Sequence, residues 1–500
     1  MTCSRRLYKG NDYEICLPLT DTGVTLVRFY TGKDVYVEKE PEISGDSMCF
    51  SLTKEDLEPL TDGVIRYEVV TEYETTDTNS PYVLKTPENY DAKSLDEIIE
   101  EAYQSGYTDG YESGYTDGYE SGYTDGQDEC HKPSKNYFTI EILEDGVFYV
   151  RRTTRYSIND GEWTEIINNA ELHVNAGDKI RFRGNEIYQH DVLFSGNTIQ
   201  FNVSGNIMSL HYGSDFEEGT TCFGCSGLFY GSTGLIDASN LVLPATALTQ
   251  NCYNGMFRGC TSLTNAPELP AMTLASGCCN YMFSGCTSLT SAPAILPATS
   301  LADNCYYGMF QGCTSLTQAP ELPATTLADN CYNSMFNGCT SLTSTPALPA
   351  TTLSYSCYSN MFNGCTSLII APELPATTLA EACYNGMFKG CTSLTQSPEL
   401  PATTLASGCY YGMFDACTGL TTSSSILPAT TLVGSCYRGM FRGCTSLNYI
   451  KCLATNISAT NCTINWVNGV AASGTFVKAA GVTWPTGASG IPSGWTVISQ

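Results

Sequence analysis

The sequence predicts a mainly β protein with short helices, arranged as an N-terminal β-sandwich, a Gly-Tyr stalk, a second β module and a solenoid with coils of about 26 residues. Three observations support this fold class. Apolar and polar residues alternate in two stretches before residue 221, which is typical of strands. Between these stretches tyrosine recurs at a four-residue interval. Beyond them a cysteine-containing pattern recurs every 26 or 27 residues, and a period of this length indicates a solenoid.

The first half of the chain carries most of the charge. The 500 residues include 24 Lys and Arg and 51 Asp and Glu, which gives a net charge of -27. Residues 1–221 contain 18 basic and 42 acidic side chains, whereas residues 222–450 contain 4 and 9. The net negative charge of the chain would repel the phosphates of nucleic acid and the headgroups of anionic membranes, so we expect neither as a partner. The start of the chain lacks the apolar core of a signal peptide, and no run of 18 apolar residues occurs, so we expect neither export by a signal peptide nor a membrane span.

Residues 1–90 are predicted to form the β-sandwich domain. Its five alternating runs, separated by turn residues, are DYEICLPL, TLVRFYTG, DVYVEKE, SMCFSLT and GVIRYEVVTEYET. Residues 91–134 carry the Gly-Tyr repeat, which starts with Ser94 and Glu97 as a helix capping box. Glycine every fourth residue costs an isolated helix about 1 kcal/mol per glycine, so a helix here needs contacts with other chains. An oligomeric helical stalk and a flexible linker are the two interpretations.

Residues 135–221 are predicted to form a β module that caps the solenoid. Its runs YFTIEIL, VFYVRRTTRYSI, ELHVNAGDKIRFRG and IQFNVSGNIMSL alternate around Asp-Gly and Asn-Ala-Gly turns. The four histidines lie in this module or in the linker before it. No cysteine or serine accompanies them in a catalytic motif, so we expect structural histidines at positions His131, His173, His190 and His211.

Residues 222–451 contain the repeats, and residues 452–500 are predicted to cap their end. A degenerate copy at residues 227–235, with Ser232 in the cysteine position, precedes eight recognisable copies. We number these copies 1 to 8 by their second cysteines, which are Cys260, Cys286, Cys313, Cys339, Cys365, Cys391, Cys417 and Cys444.

Each copy is predicted to contain a short amphipathic helix and a short strand. In copy 4, Leu327, Cys331 and Met335 stand at i, i+4 and i+8, which fits one face of a helix. The run SLTSTPAL that follows suits an extended segment. Because proline has no backbone N–H to donate to a β-ladder, we expect ladders of only two or three residues between copies. Equivalent cysteines of stacked copies should then form a buried internal column.

Metal binding and disulfides explain the repeat cysteines poorly. No histidine lies in the repeats, and the only CxxC is formed by Cys222 and Cys225. A disulfide within one copy would join the two ends of a helical segment, which are too far apart. The aspartates of the Gly-Tyr segment lack the loop pattern of calcium sites. We therefore expect reduced structural thiols, with no metal, no cofactor and no catalytic residue.

The runs MFRGCTSL, MFQGCTSL, MFNGCTSL and MFKGCTSL resemble the Ala-Phe-x-x-Cys-x-x-Leu signature of BspA-like leucine-rich repeats, with methionine in the alanine position. The LPATTL linker and the ending FVKAAGVTWPTGASGIPSGWTV are similar to a subgroup common in gut anaerobes and their tailed phages. The resemblance covers about residues 222–500. It implies a curved leucine-rich-repeat solenoid that binds other macromolecules, a function that the fold alone does not prove.

The run SLTKEDLEPLTDGVIRYEVV is similar to attachment domains of phage tail appendages, which implies an anchor to other virion proteins. The resemblances together imply a virion appendage, a tail fibre or receptor-binding protein, that is assembled in the host bacterial cytoplasm and binds a host surface glycan or protein. By analogy with phage fibres it would be a homo-oligomer, in the form of a trimer. A bacterial cell-surface adhesin is the second hypothesis. A glycan-cleaving enzyme is the third, although its candidate carboxylates share one repeat position and a hydrolase needs two in unlike environments.

Positions that vary between copies are the candidates for receptor binding, because a residue required by the fold would recur in each copy. Charged residues number only 13 between 222 and 450, which favours uncharged glycans or polar protein surfaces as targets. We rank the strand side above the helix side because concave strand faces are the commoner binding surfaces of solenoids. The strand-side candidates are Asn265, Gln318, Glu321, Ile370, Glu373, Gln396 and Glu399, and the helix-side candidates are Tyr307, Tyr411 and Arg438.

Overall fold

The structure is a computed structural model. It describes residues 136–184, 192–213, 224–423 and 426–500 in full. For six strands between residues 13 and 71 and for residues 221–222 it describes the backbone only. The chain divides into two compact units, Met1–His131 and Lys132–Gln500. The predicted Gly-Tyr stalk, residues 91–134, lies outside the described residues.

The described part of the first unit consists of strands β1 (Tyr13–Pro18), β2 (Val24–Thr31), β3 (Val35–Lys39), β4 (Glu42–Ser44), β5 (Ser47–Leu52) and β6 (Arg66–Thr71). They form two antiparallel three-stranded sheets in the orders β1-β5-β4 and β3-β2-β6. Each of the five predicted runs overlaps one of these strands, so the antiparallel strands predicted here are confirmed. Strand β4 is additional, because three residues are too few to show an alternating pattern.

The β module contains strands β7 (Phe138–Ile142), β8 (Gly146–Val150), β9 (Thr154–Ile158), β10 (Thr164–Ile166), β11 (Ala170–Val174), β12 (Lys179–Arg183) and β13 (Phe201–Asn206). Strands β8 and β11 pair with each other. The other five form a sheet in the order β10-β9-β12-β7-β13. In β7 every second residue is buried, beginning with Phe138, which confirms that the alternating runs are half-buried strands.

A parallel strand joins the β module to the repeats. Strand β15 (Leu235–Val242) pairs with β13 in parallel and extends the sheet of the module. The remaining elements are helix α1 (Ser209–Tyr212) and strands β14 (Thr221–Cys222), β16 (Ala247–Leu248), β17 (Ile426–Leu427), β18 (Tyr449–Cys452), β19 (Thr475–Lys478) and β20 (Thr496–Ser499). The last four form a parallel sheet in chain order. Within the described residues, no helix has both the length and the apolar character that crossing a bilayer requires.

Each copy begins with a nine-residue turn segment that runs from its first to its second cysteine, where the sequence predicted a helix. Backbone hydrogen bonds alternate along it. In copy 4 the N–H of Met335 donates to the carbonyl of Tyr332 in the same copy (3.2 Å), whereas the N–H of Phe336 donates to the carbonyl of Met361 in the next copy (2.9 Å). An α-helix would direct every N–H to the residue four before it. The helix prediction for the repeats is therefore wrong.

Backbone conformation explains why the helix does not form. In each copy three residues have positive φ at four-residue intervals, one just before the turn segment and two within it; in copy 4 they are Asn330 (55°), Ser334 (58°) and Gly338 (77°). Only glycine and, less readily, asparagine adopt this region without appreciable strain. A Cβ added at Gly338 would lie 3.7 Å from the Cα of Gly312, an ordinary contact, so the positive φ is what favours glycine here. The four-residue spacing of apolar side chains therefore comes from successive turns and not from a helical period.

Equivalent side chains of successive copies form buried columns. The ring of Phe336 stacks between those of Phe310 and Phe362, with centroids 5.6 Å apart on each side. Tyr332 and Tyr358 stack in a second column at 5.8 Å. Methionine, leucine and both cysteines of each copy complete the core, and the second cysteine is fully buried in all eight copies. Successive residues of one column are therefore about 26 positions apart in the sequence, because each copy contributes one residue to the column.

The phenylalanine column extends upstream of the recognisable copies. Phe229 of the degenerate copy stacks on Phe257 of copy 1 (5.3 Å) and on Phe194 of the β module (5.7 Å). Residues Val192 and Gly196 have positive φ at the same four-residue interval as in the turn segments. The stack therefore begins at about residue 192. The sequence did not reveal this segment because the position of the second cysteine is occupied by Asn197.

A tryptophan ends the columns downstream. Trp466 stacks on Tyr437 with ring centroids 6.0 Å apart and lies 6.3 Å from the ring of Phe441. Its other side packs on Trp484 at 5.5 Å. One indole thus covers the ends of both aromatic columns.

Candidate functional site

The strand-side candidates lie at the surface. Ile370 is 73% exposed, an unusual position for a large apolar side chain, and its neighbour Ile369 is 52% exposed. We call this surface the extended face; it consists of the seven strand-side candidate positions predicted from the sequence. Of these, Gln318, Glu321, Ile370, Glu373, Gln396 and Glu399 are exposed and Asn265 is half-buried.

Single bridges connect the extended face from copy to copy. Asn265 forms a parallel bridge with Ser291, and Gln396 forms one with Thr422. Glu321 is bridged to Ile295. The ladders at these positions are one residue long, shorter than the two or three residues predicted. A proline within two residues of each position (Pro267, Pro320 and Pro398) removes an N–H donor that a longer ladder would need.

The exposed positions of the turn segments form a second surface, which we call the turn face. Tyr307 contacts Tyr281 edge to face, with ring centroids 5.2 Å apart. The guanidinium of Arg438 lies 5.4 Å from the ring of Tyr411, which is 39% exposed. The stacking brings Tyr411 and Arg438 together in neighbouring copies 7 and 8, but Tyr307 lies in copy 3, four copies away from Tyr411.

A charged cluster on the turn face was not predicted from the sequence. The buried carboxylate of Asp415 in copy 7 accepts two hydrogen bonds from the guanidinium of Arg442 in copy 8, one of them 2.9 Å from Nε to Oδ1. The Nζ of Lys389 in copy 6 lies 3.7 Å from the same carboxylate. The only signal in the sequence was that copies 6, 7 and 8 hold charged residues where copies 2 to 5 hold Ser284, Gln311, Asn337 and Asn363.

The repeat cysteines face the core. The thiol of Cys339 donates to the carbonyl of Phe310 in the preceding copy (3.1 Å), and Cys365 donates in the same way to Phe336 (3.1 Å). Ser232 makes the equivalent bond to Phe194 (2.6 Å) in the degenerate copy. Burial raises the pKa of Cys339 to about 12. All twenty cysteines between residues 224 and 500 are buried and free of disulfides, which confirms the prediction of buried structural thiols.

The reactivity of these thiols offers a direct test. Under native conditions a thiol reagent is expected to label few of the sixteen register cysteines, because both burial and the raised pKa suppress the reactive thiolate. Addition of a denaturant should expose them, and mass spectrometry of labelled peptides would locate each one. Rapid native labelling of most of the sixteen would contradict their inward orientation.

One of the four histidines, His211, lies beside a cysteine in the core, a contact that no sequence motif indicated. The Nε2 of His211 is 3.2 Å from the Sγ of Cys225, and both side chains are buried. Helix α1 carries His211, and the residues next to the degenerate copy carry Cys225. No recognised motif connects the two, so only the fold reveals the contact. Because Cys225 is fully buried, the arrangement is a packing contact within the core.

Within the described ranges, no three His, Cys, Asp or Glu side chains come together in a way that could hold a metal ion. The extended face and the turn face carry the candidate residues and together form the candidate functional site. A scan against models of known protein families and a search of curated proteins both gave no match.

Proposed function

We propose that the chain is a virion structural appendage, a tail fibre or receptor-binding protein, that attaches to other virion proteins by its N-terminal domain and binds a host surface glycan or protein through its repeats. The observation that carries the proposal is the separation of constant from variable residues. The recurring Cys, Phe, Met and Leu side chains are buried, whereas most of the candidate positions that differ between copies are exposed. Such a surface can change its binding partner without changing the core.

We further propose that the repeats form a leucine-rich-repeat solenoid of the BspA-like kind. The resemblance of the MFxGCTSL runs supports this assignment. So do the regular backbone hydrogen bonds between successive copies, such as that from the N–H of Ser334 to the carbonyl of Ser359 (2.8 Å). The signature leucine of copy 4, Leu342, is fully buried as the family pattern requires. The homo-oligomeric stalk and assembly in the host cytoplasm are part of the same proposal and rest on the sequence alone.

The extended face favours binding over catalysis. Repetition places Glu321, Glu373 and Glu399 in the same exposed position of their copies. A glycosidase needs one carboxyl group with a raised pKa and another that stays ionised, which requires two different environments. We therefore propose binding and no enzymatic activity.

Adsorption of particles to host cells tests the proposed face. Changing Gln318, Ile370 and Gln396 together to alanine is expected to lower adsorption at least about tenfold, because the loss of a few central contacts dominates interface energies. The matched control changes Gln311, Asn363 and Asn385 to alanine, which alters the turn face of the same three copies and should leave adsorption intact. Normal adsorption of the extended-face variant would contradict the proposal, and loss only after a triple change of Tyr307, Tyr411 and Arg438 would reverse the ranking of the faces.

Electron microscopy of particles labelled with antibody to residues 222–450 tests the location. Decoration of a virion appendage is the expected result. Decoration of the bacterial surface in the absence of virions would instead support the adhesin hypothesis.

A further inference from the structure

Copies 6 to 8 concentrate positive charge on the turn face. Residues 222–450 contain four basic residues, and three of them, Lys389, Arg438 and Arg442, lie in these three copies. The fourth, Arg258, lies in copy 1. The fold does not require the cations, because the same positions are occupied by neutral side chains in copies 2 to 5.

Backbone hydrogen bonds place the cluster in register. The N–H of Gly390 donates to the carbonyl of Asp415 (2.8 Å), and the N–H of Ala416 donates to the carbonyl of Arg442 (2.7 Å). Lys389, Asp415 and Arg442 therefore lie side by side in successive copies. The side chain of Asp415 is only 9% exposed, whereas those of Lys389 and Arg442 are about half exposed. One buried carboxylate thus holds two cations at the surface and neutralises one of them.

Tyr411 and Arg438 lie four residues before Asp415 and Arg442 in the same two copies. The N–H of Gly412 donates to the carbonyl of Arg438 (2.8 Å), which aligns Tyr411 with Arg438. Within the described repeats Arg438 forms no salt bridge, so its charge adds to the excess at Lys389 and Arg442. The four charged groups carry three positive charges and one negative charge. An exposed tyrosine ring bordered by cations is suited to contact the apolar face of a sugar ring while the cations bind its acidic group.

Exposed acidic residues lie elsewhere on the repeats. The glutamates of copies 5 and 6 on the extended face, Glu373 and Glu399, are on the extended segments and not on the turn segments. Near the start of the turn segment of copy 6, Glu381 is exposed. The equivalent positions of copies 7 and 8 hold Ser407 and Gly434, so that column of acidic residues ends before the copies that carry Tyr411 and Arg438.

We propose that Lys389, Tyr411, Arg438 and Arg442, oriented by the buried carboxylate of Asp415, bind an acidic glycan whose sugars carry carboxylates. This rests on the proposed function, in which the repeats meet a host surface, and it adds a ligand class that differs from the uncharged target proposed for the extended face. Arg438 and Lys389, which lie two copies apart, each bind a carboxylate of the glycan, Arg442 adds positive charge, and Tyr411 stacks on a sugar ring.

The test uses the full chain and an oligogalacturonate as the probe, with its fully methyl-esterified form as the uncharged control. Calorimetry is expected to show binding of the oligogalacturonate that weakens as salt is added, and no binding of the ester. Equal binding of the ester would overturn the proposal. Equal binding of a polyphosphate of the same length and charge would also overturn it, because it would indicate simple ion exchange.

Matched variants locate the site. Arg438→Gln is expected to weaken binding about tenfold, the effect of losing one charge-assisted hydrogen bond, and Arg438→Lys should retain part of the affinity. Arg258→Gln is the control, because Arg258 also lies over a tyrosine ring, that of Tyr281 (4.9 Å), but has no other cation in its own or the next copy. Unchanged binding by Arg438→Gln, or an equal loss from Arg258→Gln, would overturn the assignment.

The experiment separates this inference from the proposed function. The extended-face variant with Gln318, Ile370 and Gln396 changed to alanine should bind oligogalacturonate normally while it fails to adsorb to host cells. If oligogalacturonate does not bind and adsorption still depends on the extended face, the glycan inference fails and the proposed function stands.

Discussion

Raising the pH from about 8 to about 12 is expected to unfold the repeats in a steep transition. Burial raises the pKa of Cys339, Cys357, Cys409 and Cys417 to about 12, from an ordinary value of 9.0. Well below pH 9 these thiols are neutral in both the folded and the unfolded chain, so their ionisation does not affect stability. Above pH 9 the unfolded chain releases protons that the folded chain retains. Stability is therefore lost as the pH rises toward the folded pKa.

The size of the effect comes from repetition. Each cysteine that ionises only in the unfolded chain lowers the free energy of unfolding by about 1.4 kcal/mol per pH unit. The repeats hold sixteen register cysteines, and the total stability of a typical folded protein is only about 5–15 kcal/mol. Burial also raises the pKa of the phenols in the tyrosine column, including Tyr332 and Tyr358, which adds to the loss above pH 10.

Circular dichroism in the presence of a reductant would measure this transition. A variant with alanine at Cys339, Cys365, Cys391 and Cys417 serves as the control. Its stability at neutral pH should fall because of the cavities, but it should lose less stability per pH unit, since four ionisable groups are absent. A signal that stays constant up to pH 12, or the same slope in both proteins, would refute this explanation.

Replacing Phe336 with alanine is expected to lower the free energy of unfolding by about 3–5 kcal/mol. The ring is fully buried and stacks on both sides, against Phe310 and Phe362. Hydrogen bonds between neighbouring copies fix the backbone on each side, so the site cannot collapse to fill the space. The stacked columns thus make a central aromatic residue more costly to remove than an isolated one.

Urea titration followed by circular dichroism measures the loss for this variant. Ile370→Ala is the matched control, because it also removes a large apolar side chain but one that is 73% exposed, and it should change stability by less than about 0.5 kcal/mol. Equal losses in the two variants would show that stacking in the column does not determine the stability of the repeats.

The strands and the buried residues could be predicted because they depend on local pattern. Alternation over Phe138–Ile142 predicts a half-buried strand, and the recurrence of Cys339 and its equivalents predicts their shared inward position. Local pattern could not decide whether each copy contains a helix or a series of turns, because apolar residues four positions apart fit both. The residues that distinguish them are Asn330, Ser334 and Gly338, whose positive φ is compatible only with turns.

The exposure of the candidate site residues could be predicted from local pattern, but the grouping of residues from different copies could not. Exposure of Gln318 and Ile370 follows from their variability between copies, and the structure agrees. The grouping of Lys389, Asp415 and Arg442 depends on which positions of different copies become neighbours. That information lies in hydrogen bonds between residues about 26 positions apart, which no local pattern contains.

The tyrosine column that ends on Trp466 has an optical consequence. Consecutive rings from Tyr306 to Tyr437 lie 5.8–6.0 Å apart, and the last is 6.0 Å from the indole. Tyrosine emission overlaps tryptophan absorption, so excitation absorbed in any of these copies passes along the column and is emitted by the indole. Light emitted at one end of the repeats thus reports on the integrity of copies that are far away in the sequence.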